Sequence, residues 1–107
     1  MSQIENKLKE LNISIPDAPS PVGAYVAFKK INNLLFISGQ LPIGLDGKMV
    51  KGKVGKNLNL QNGQEAAKLC AINILAQVKK ATDGDLSKVK NCIKITGFVN
   101  STDDFFD

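Results

Sequence analysis

The feature that most constrains the fold is a long helical pattern between residues 60 and 81. Apolar residues recur there every three or four positions, which predicts an amphipathic helix. Asn59 is its predicted N-cap, and the glycine of Thr82-Asp83-Gly84 its predicted C-terminal stop. The apolar positions form two arcs separated by lysines and amides: Ala67, Ala71, Ile74, Leu75 and Val78 in one, Leu69, Ile72 and Ala76 in the other. We therefore expect the helix to pack against a sheet and also against a neighbour.

Period-two and β-branched patterns predict the strands of that sheet. Residues 25–30 and 34–38 are expected to pair as a hairpin around an Asn-Asn turn, because asparagine tolerates positive φ angles. Residues 48–50 are a candidate short edge strand, and residues 89–99 have the clearest strand pattern of all. Strands followed by a helix and a further strand predict an α+β class.

Both ends of the sequence carry helix signals. Ser2 and Glu5 have the spacing of a capping box, which predicts a short helix over residues 3–11. Ser101 to Phe106 has the composition of a second helix start, with acidic Asp103 and Asp104 in its first turn. A helix start so close to residue 107 leads us to expect one domain, residues 1–107, that is incomplete at its C-terminal side.

The composition excludes several kinds of chemistry. The chain has no histidine, and all 14 of its basic residues are lysine. A histidine base, a histidine metal ligand and an arginine fork for carboxylate or phosphate are therefore absent from it. We expect no cofactor and no metal site. Spread lysines, including those at 48, 51, 53 and 56, and the lack of an aromatic platform argue against nucleic acid as a partner.

The location is predicted from what the sequence lacks. No apolar run approaches the roughly 18 residues of a membrane-spanning helix, and residues 1–5 have no signal-peptide pattern. Cys70 and Cys92 are too far apart for a CxxC motif, so we predict a cytoplasmic protein with two reduced, unreactive thiols.

Several segments resemble one known family. Residues 21–26 and 34–42, which end in Ser-Gly-Gln-Leu-Pro, are similar to the N-terminal hairpin of the Rid family, also called YjgF or L-PSP endoribonucleases. Residues 63–73 resemble the helix of one branch of that family, which has an additional N-terminal helix. Residues 94–99 and the acidic helix start follow in the family's order.

The resemblance implies a fold and a function. The expected fold is a mixed β-sheet with helices on one face, as in the chorismate-mutase-like Rid domain. The expected assembly is a homotrimer that binds small carboxylates or imino acids in clefts between subunits. The expected activity is hydrolysis of reactive 2-imino acids to 2-keto acids and ammonia. A non-catalytic trimeric carboxylate-binding protein is the alternative, and an endoribonuclease or translation inhibitor is a further one.

The resemblance also implies site residues. Tyr25 matches the family's pocket tyrosine, whose phenol could orient the imine or the attacking water, although a packed strand tyrosine would look the same. Ser38 and Gly39 match the strand end beside the ligand, although Ser-Gly also simply terminates strands. The family's carboxylate-clamping arginine and water-positioning glutamate are expected beyond Asp107, so residues 1–107 cannot build the complete family site.

Overall fold

The structure, a computed structural model, describes residues 3–106 and has the predicted α+β class. Helix α1 spans Gln3–Glu10, strands β1 and β2 span Phe28–Ile31 and Leu34–Ile37, and helix α2 spans Leu60–Ala81. A short 3-10 turn, Leu86–Lys88, contacts α1. Helix α2 packs on the sheet formed by β1 and β2. Helix α1 occupies most of its predicted range, but the predicted Ser2 capping box lies outside the described residues.

The hairpin forms around the predicted Asn-Asn turn. β1 and β2 pair antiparallel with Phe28 opposite Ile37 and Ile31 opposite Leu34. Asn32 adopts a φ of 52°, the left-handed conformation that asparagine tolerates better than most residues. β1 begins at Phe28 instead of Tyr25, because residues 22–25 form a bend in front of it. The turn prediction is confirmed, and the first strand is shorter than predicted.

Helix α2 has the predicted bounds and the predicted N-cap. Asn59 and Asn62 form a reciprocal capping box, in which each side-chain oxygen accepts from the other residue's backbone N–H at 2.8 and 2.9 Å. At the other end, Gly84 has a φ of 88° and its N–H donates to the Lys79 carbonyl at 2.8 Å. These contacts satisfy backbone groups that a helix end leaves unpaired.

The buried face of α2 differs from the prediction. The buried positions are Asn73, Ala76, Gln77 and Ala81, so the inward face includes Ala76 of the second predicted arc and extends from it into the polar gap between the arcs. Ala67 and Ala71, from one of those arcs, are exposed. Apolar periodicity missed this face because it assigns amides to solvent, whereas a buried amide is stable when it finds hydrogen-bond partners.

The hairpin is also tied to the end of α2. The Lys30 ammonium group lies 3.5 Å from the Ala81 carbonyl in the last turn of the helix. A cation is favoured there because the unpaired carbonyls give the helix C-terminus a partial negative charge. Val54, Ala76, Ala81 and Leu86 are the buried apolar residues of the described chain.

Two C-terminal predictions are wrong. Residues 89–99 form no strand, since no backbone ladder joins them to another part of residues 3–106, and their side chains are exposed. Alternation identifies the faces of a strand but not its partner, and a strand needs ladder hydrogen bonds. Residues 101–106 form a turn instead of a helix, because a single helical turn is costly to nucleate.

Smaller predicted features occur in reduced form. The candidate edge strand over residues 48–50 is one antiparallel bridge between Met49 and Ile43, on either side of a turn at Gly47. Val54 forms two isolated parallel bridges, one with Leu58 and one with Ser101, and these are the parallel pairings among the described residues. Residues 3–106 hold no helix suited to crossing a bilayer, since even α2 is interrupted by lysines and amides.

The capping box at the start of α2 is testable by substitution. Asn59→Ala removes one acceptor for an unpaired helix N–H, and we expect a loss of about 1 kcal/mol in the free energy of unfolding. Gln61→Ala, two positions further along the exposed first turn, is the control and should change stability by less than about 0.5 kcal/mol. Urea denaturation of both variants measures the difference. Equal stabilities would show that the cap contributes nothing.

Candidate functional site

A small, partly open cavity lies where β2 ends, and it is the candidate site. It encloses about 30 Å³ between the proline segment, the end of the hairpin and the buried face of α2. Space of that size accommodates about one or two water-sized groups. All three residues that the resemblance implies line it: Tyr25, Ser38 and Gly39. The remaining lining residues are Pro19, Ser20, Pro21, Val22, Ala27, Gln40, Leu41, Ile43, Asn73 and Gln77.

Ser38 is fixed by the continuation of the hairpin. Its backbone N–H and its hydroxyl both donate to the Ala27 carbonyl, each at 3.0 Å. The single hydroxyl hydrogen is therefore engaged, and Oγ is left with lone pairs that can accept. In this geometry it is an acceptor for a water or ligand hydrogen.

Tyr25 is positioned by the bend before β1. Its backbone N–H donates to the Gly23 carbonyl at 2.9 Å, and its hydroxyl oxygen accepts from the Val22 N–H at 3.3 Å. The ring lies against Gly23, where an added Cβ would come within 3.2 Å of it. The phenol uses an acceptor lone pair in this contact, so its hydroxyl hydrogen remains available to donate.

Gly39 leaves open space at the rim of the cavity. A Cβ built on it would meet no atom within 4 Å, so the glycine is not required by packing within the chain. Its N–H donates no hydrogen bond within residues 3–106. An exposed, unpaired amide next to open space is suited to binding a carboxylate oxygen.

Two amides of α2 form the inner wall, and sequence reasoning missed both. Asn73 Nδ2 donates to the Leu41 and Ile43 carbonyls, each at 2.9 Å, and Gln77 Nε2 donates to the Pro19 carbonyl at 2.8 Å. Both residues are almost fully buried, at 4% and 1% exposure. The available signal was a pair of amides four residues apart, hence on one helix face, flanked by apolar positions.

The lining combines apolar side chains with uncharged polar groups. None of its described residues is a lysine, aspartate or glutamate, so polarisation of a ligand there depends on hydroxyl and amide groups. Within residues 3–106, no three His, Cys, Asp or Glu side chains lie close enough together to hold a metal ion. A wider groove of about 570 Å³ shares Ile43 and Asn73 with the cavity, but Tyr25, Ser38 and Gly39 do not line it.

Comparison with known proteins now decides the family. The sequence profile of the family described as "YjgF/chorismate mutase-like, putative endoribonuclease" matches residues 5–106. The chain belongs to this family. The fold and family implied by residues 34–42 and 63–73 are thereby confirmed.

The chain is also similar to individual proteins. The chain is 37% identical over 95 residues to the RutC family protein y4sK of Sinorhizobium fredii, covering 89% of this chain and 66% of the relative. It is 36% identical over 103 residues to protein TCP17 of Trypanosoma cruzi, covering 96% and 64%. The crystal structure of Atu1372 from Agrobacterium tumefaciens, of unknown function, superposes with a TM-score of 0.84 at 48% identity, covering 96% and 63%. The chain thus spans slightly less than two thirds of these relatives' lengths.

The open space at Gly39 provides a clean test of the cavity. Gly39→Ala should leave the melting temperature unchanged and weaken binding of 2-oxobutanoate about tenfold, because its methyl group would occupy space next to the unpaired amide. Calorimetric titration measures the affinity. Gly97→Ala is the control, since a Cβ there also meets nothing within 4 Å and the residue lies outside the cavity. Equal affinities for both variants would argue against a ligand at Gly39.

The two cysteines differ in exposure and should differ in reactivity. Cys70 lies half-buried on α2, and burial raises the pKa of its thiol, while Cys92 is exposed. A raised pKa lowers the thiolate fraction at a given pH, so we expect iodoacetamide to alkylate Cys92 before Cys70 at pH 8. Mass spectrometry of timed samples distinguishes the two sites. Faster modification of Cys70 would contradict its assignment as an unreactive structural thiol.

Proposed function

We propose that the full-length protein is a Rid-type 2-imino acid deaminase, which hydrolyses a C=N bond to give a 2-keto acid and ammonia. The observation that carries the proposal is the convergence of Tyr25, Ser38 and Gly39 on one cavity. Tyr25 is separated in sequence from the adjacent pair Ser38 and Gly39, and all three were singled out by resemblance alone. Their shared cavity supplies neutral donors and acceptors for a small polar ligand.

The proposed reaction needs a water, a proton and a leaving ammonia. Water adds to the imine carbon, the imine nitrogen gains a proton, and the resulting carbinolamine expels ammonia as the C=O bond forms. The Tyr25 hydroxyl, held by the Val22 N–H, can donate to the imine nitrogen. Ser38 Oγ can accept a hydrogen from the attacking water, and the Gly39 N–H can bind the carboxylate.

The size of the cavity bears on how the substrate is held. An enclosed volume of about 30 Å³ accommodates the reacting head of a small imino acid, with the rest of the molecule in the open mouth of the cavity.

We propose that a second subunit completes the cleft in a homotrimer. Exposed apolar side chains support association, among them Ile93, Ile95 and Phe98 at 79%, 75% and 95% exposure. We also place the protein in the cytoplasm, in keeping with its two free cysteines.

A non-catalytic binding protein is the second candidate. It is favoured by one observation: Tyr25 is the single ionisable side chain among the described residues of the lining. A site with few proton-transfer groups can bind a small carboxylate without turning it over. Thermal stabilisation by 2-oxobutanoate, without ammonia release from an imine, would distinguish this candidate from the deaminase.

The deaminase proposal is tested with 2-iminopropionate generated in solution by an amino acid oxidase. The purified full-length protein should accelerate ammonia release, and Tyr25→Phe should lower kcat by about 10- to 100-fold because one proton donor is lost. Thermal unfolding of both proteins is the control for the lost contact with Val22. Ammonia release at the uncatalysed rate with the unsubstituted protein would overturn the proposal.

A further inference from the structure

The bend in front of β1 contains a glycine that its own backbone conformation does not require. Gly23 lies outside the left-handed region, so an alanine would adopt the same φ without strain. The position is also exposed, so burial does not exclude a side chain there. Neither the backbone nor a crowded interior therefore explains a glycine at this position.

One side chain occupies the space that a Cβ at Gly23 would need. The added atom would lie 3.2 Å from Cε1 and 3.3 Å from Cδ1 of Tyr25. Its two chain neighbours apart, it would meet no other atom of residues 3–106 within 4 Å. Carbon atoms in favourable contact are about 3.5–4.0 Å apart, so a methyl group would displace the ring. The missing Cβ thus matters to one residue, and that residue lines the cavity.

The polar contacts of Tyr25 are too weak to fix its ring by themselves. The phenol folds back over the bend, where its oxygen accepts from the Val22 N–H at 3.3 Å. That distance exceeds the usual range of about 2.7–3.2 Å, so a small displacement of the ring breaks the contact. The side chain is 45% exposed, which leaves it room to move. The location of the hydroxyl therefore depends on the ring's close approach to Gly23.

We propose that Gly23 is a positioning residue, which sets the location of the Tyr25 hydroxyl by leaving space for the ring. The inference rests on the proposed function of the cavity and assigns the placement of its proton donor. Gly23 itself is absent from the cavity lining, so it acts through Tyr25 alone. A side chain at position 23 should therefore impair the site only while the Tyr25 hydroxyl is present.

A double-mutant cycle in the full-length protein separates this role from a general structural one. Gly23→Ala should lower kcat for 2-iminopropionate about three- to tenfold, because a small misplacement of a reacting group is costly. In a Tyr25→Phe background the same substitution should change kcat by less than about 1.5-fold, since the hydroxyl is already absent. Equal fractional losses in the two backgrounds would overturn the inference.

The neighbouring residue of the bend supplies a matched control. Ala24→Ser also adds one heavy atom, at an exposed side chain that does not line the cavity. It should leave kcat unchanged, and thermal unfolding shows whether both variants are folded. A loss of kcat in Ala24→Ser equal to that in Gly23→Ala would assign the effect to the bend as a whole and contradict the role of Gly23.

Ligand binding tests the same coupling without turnover. The C2 carbonyl of 2-oxobutanoate can accept the Tyr25 hydroxyl hydrogen, so Gly23→Ala should weaken binding about two- to fivefold, and should not weaken it in Tyr25→Phe. Calorimetric titration measures the affinities. Coupled binding without ammonia release would keep the role of Gly23 and remove the deaminase. Ammonia release without coupling would do the reverse, and absence of both binding and turnover would overturn both proposals.

One measurement on the unsubstituted protein covers the case in which Gly23→Ala does not fold. The α protons of Gly23 should give strong nuclear Overhauser effects to the ring protons of Tyr25, because the Cδ1–Cε1 edge of the ring lies against this residue. Selective labelling of tyrosine and glycine identifies these signals by NMR. Absence of the effects would overturn the inference, since the ring would then not depend on the space at Gly23.

Discussion

Three hydrogen bonds from two buried amides of α2 hold together the loops that form the cavity. Asn73 donates to the Leu41 and Ile43 carbonyls, and Gln77 donates to the Pro19 carbonyl. The accepting segments are rich in proline, which has no N–H and cannot take part in a regular ladder. Side-chain donors from the helix satisfy these carbonyls instead. The positions of Tyr25, Ser38 and Gly39 relative to α2 depend on those contacts.

The interior of the described chain is small, which increases the importance of its polar contacts. Four apolar residues are buried, while large apolar side chains such as Ile93 and Phe98 remain exposed. A hydrogen bond or an unsatisfied carbonyl is therefore a larger share of the total stability than in a domain with an extensive core. The proposed association of subunits would bury further apolar surface and change that balance.

The cavity favours chemistry based on hydrogen bonds. Its described lining has hydroxyl, amide and carbonyl groups and no charged side chain. The Ser38 hydroxyl donates its hydrogen bond to the Ala27 carbonyl. The Tyr25 hydroxyl accepts from Val22 and can still donate, and the Gly39 N–H is unpaired. Such groups can orient a water and polarise a C=N bond, and they act more strongly where water is partly excluded.

Features decided within a few residues of chain were predictable from sequence: the Asn59 cap, the bounds of α2 and the turn at Asn32. Tyr25, Ser38 and Gly39 came from resemblance, and the structure places them around one cavity without testing their roles. Pairing and burial that involve residues distant in sequence could not be predicted. Residues 89–99 have the alternation of a strand but no strand partner in the described chain. The buried amide of Gln77 donates to a carbonyl 58 residues away in sequence. Caps and turns depend on neighbours in sequence, whereas ladders and buried amides depend on partners that only the tertiary structure brings together.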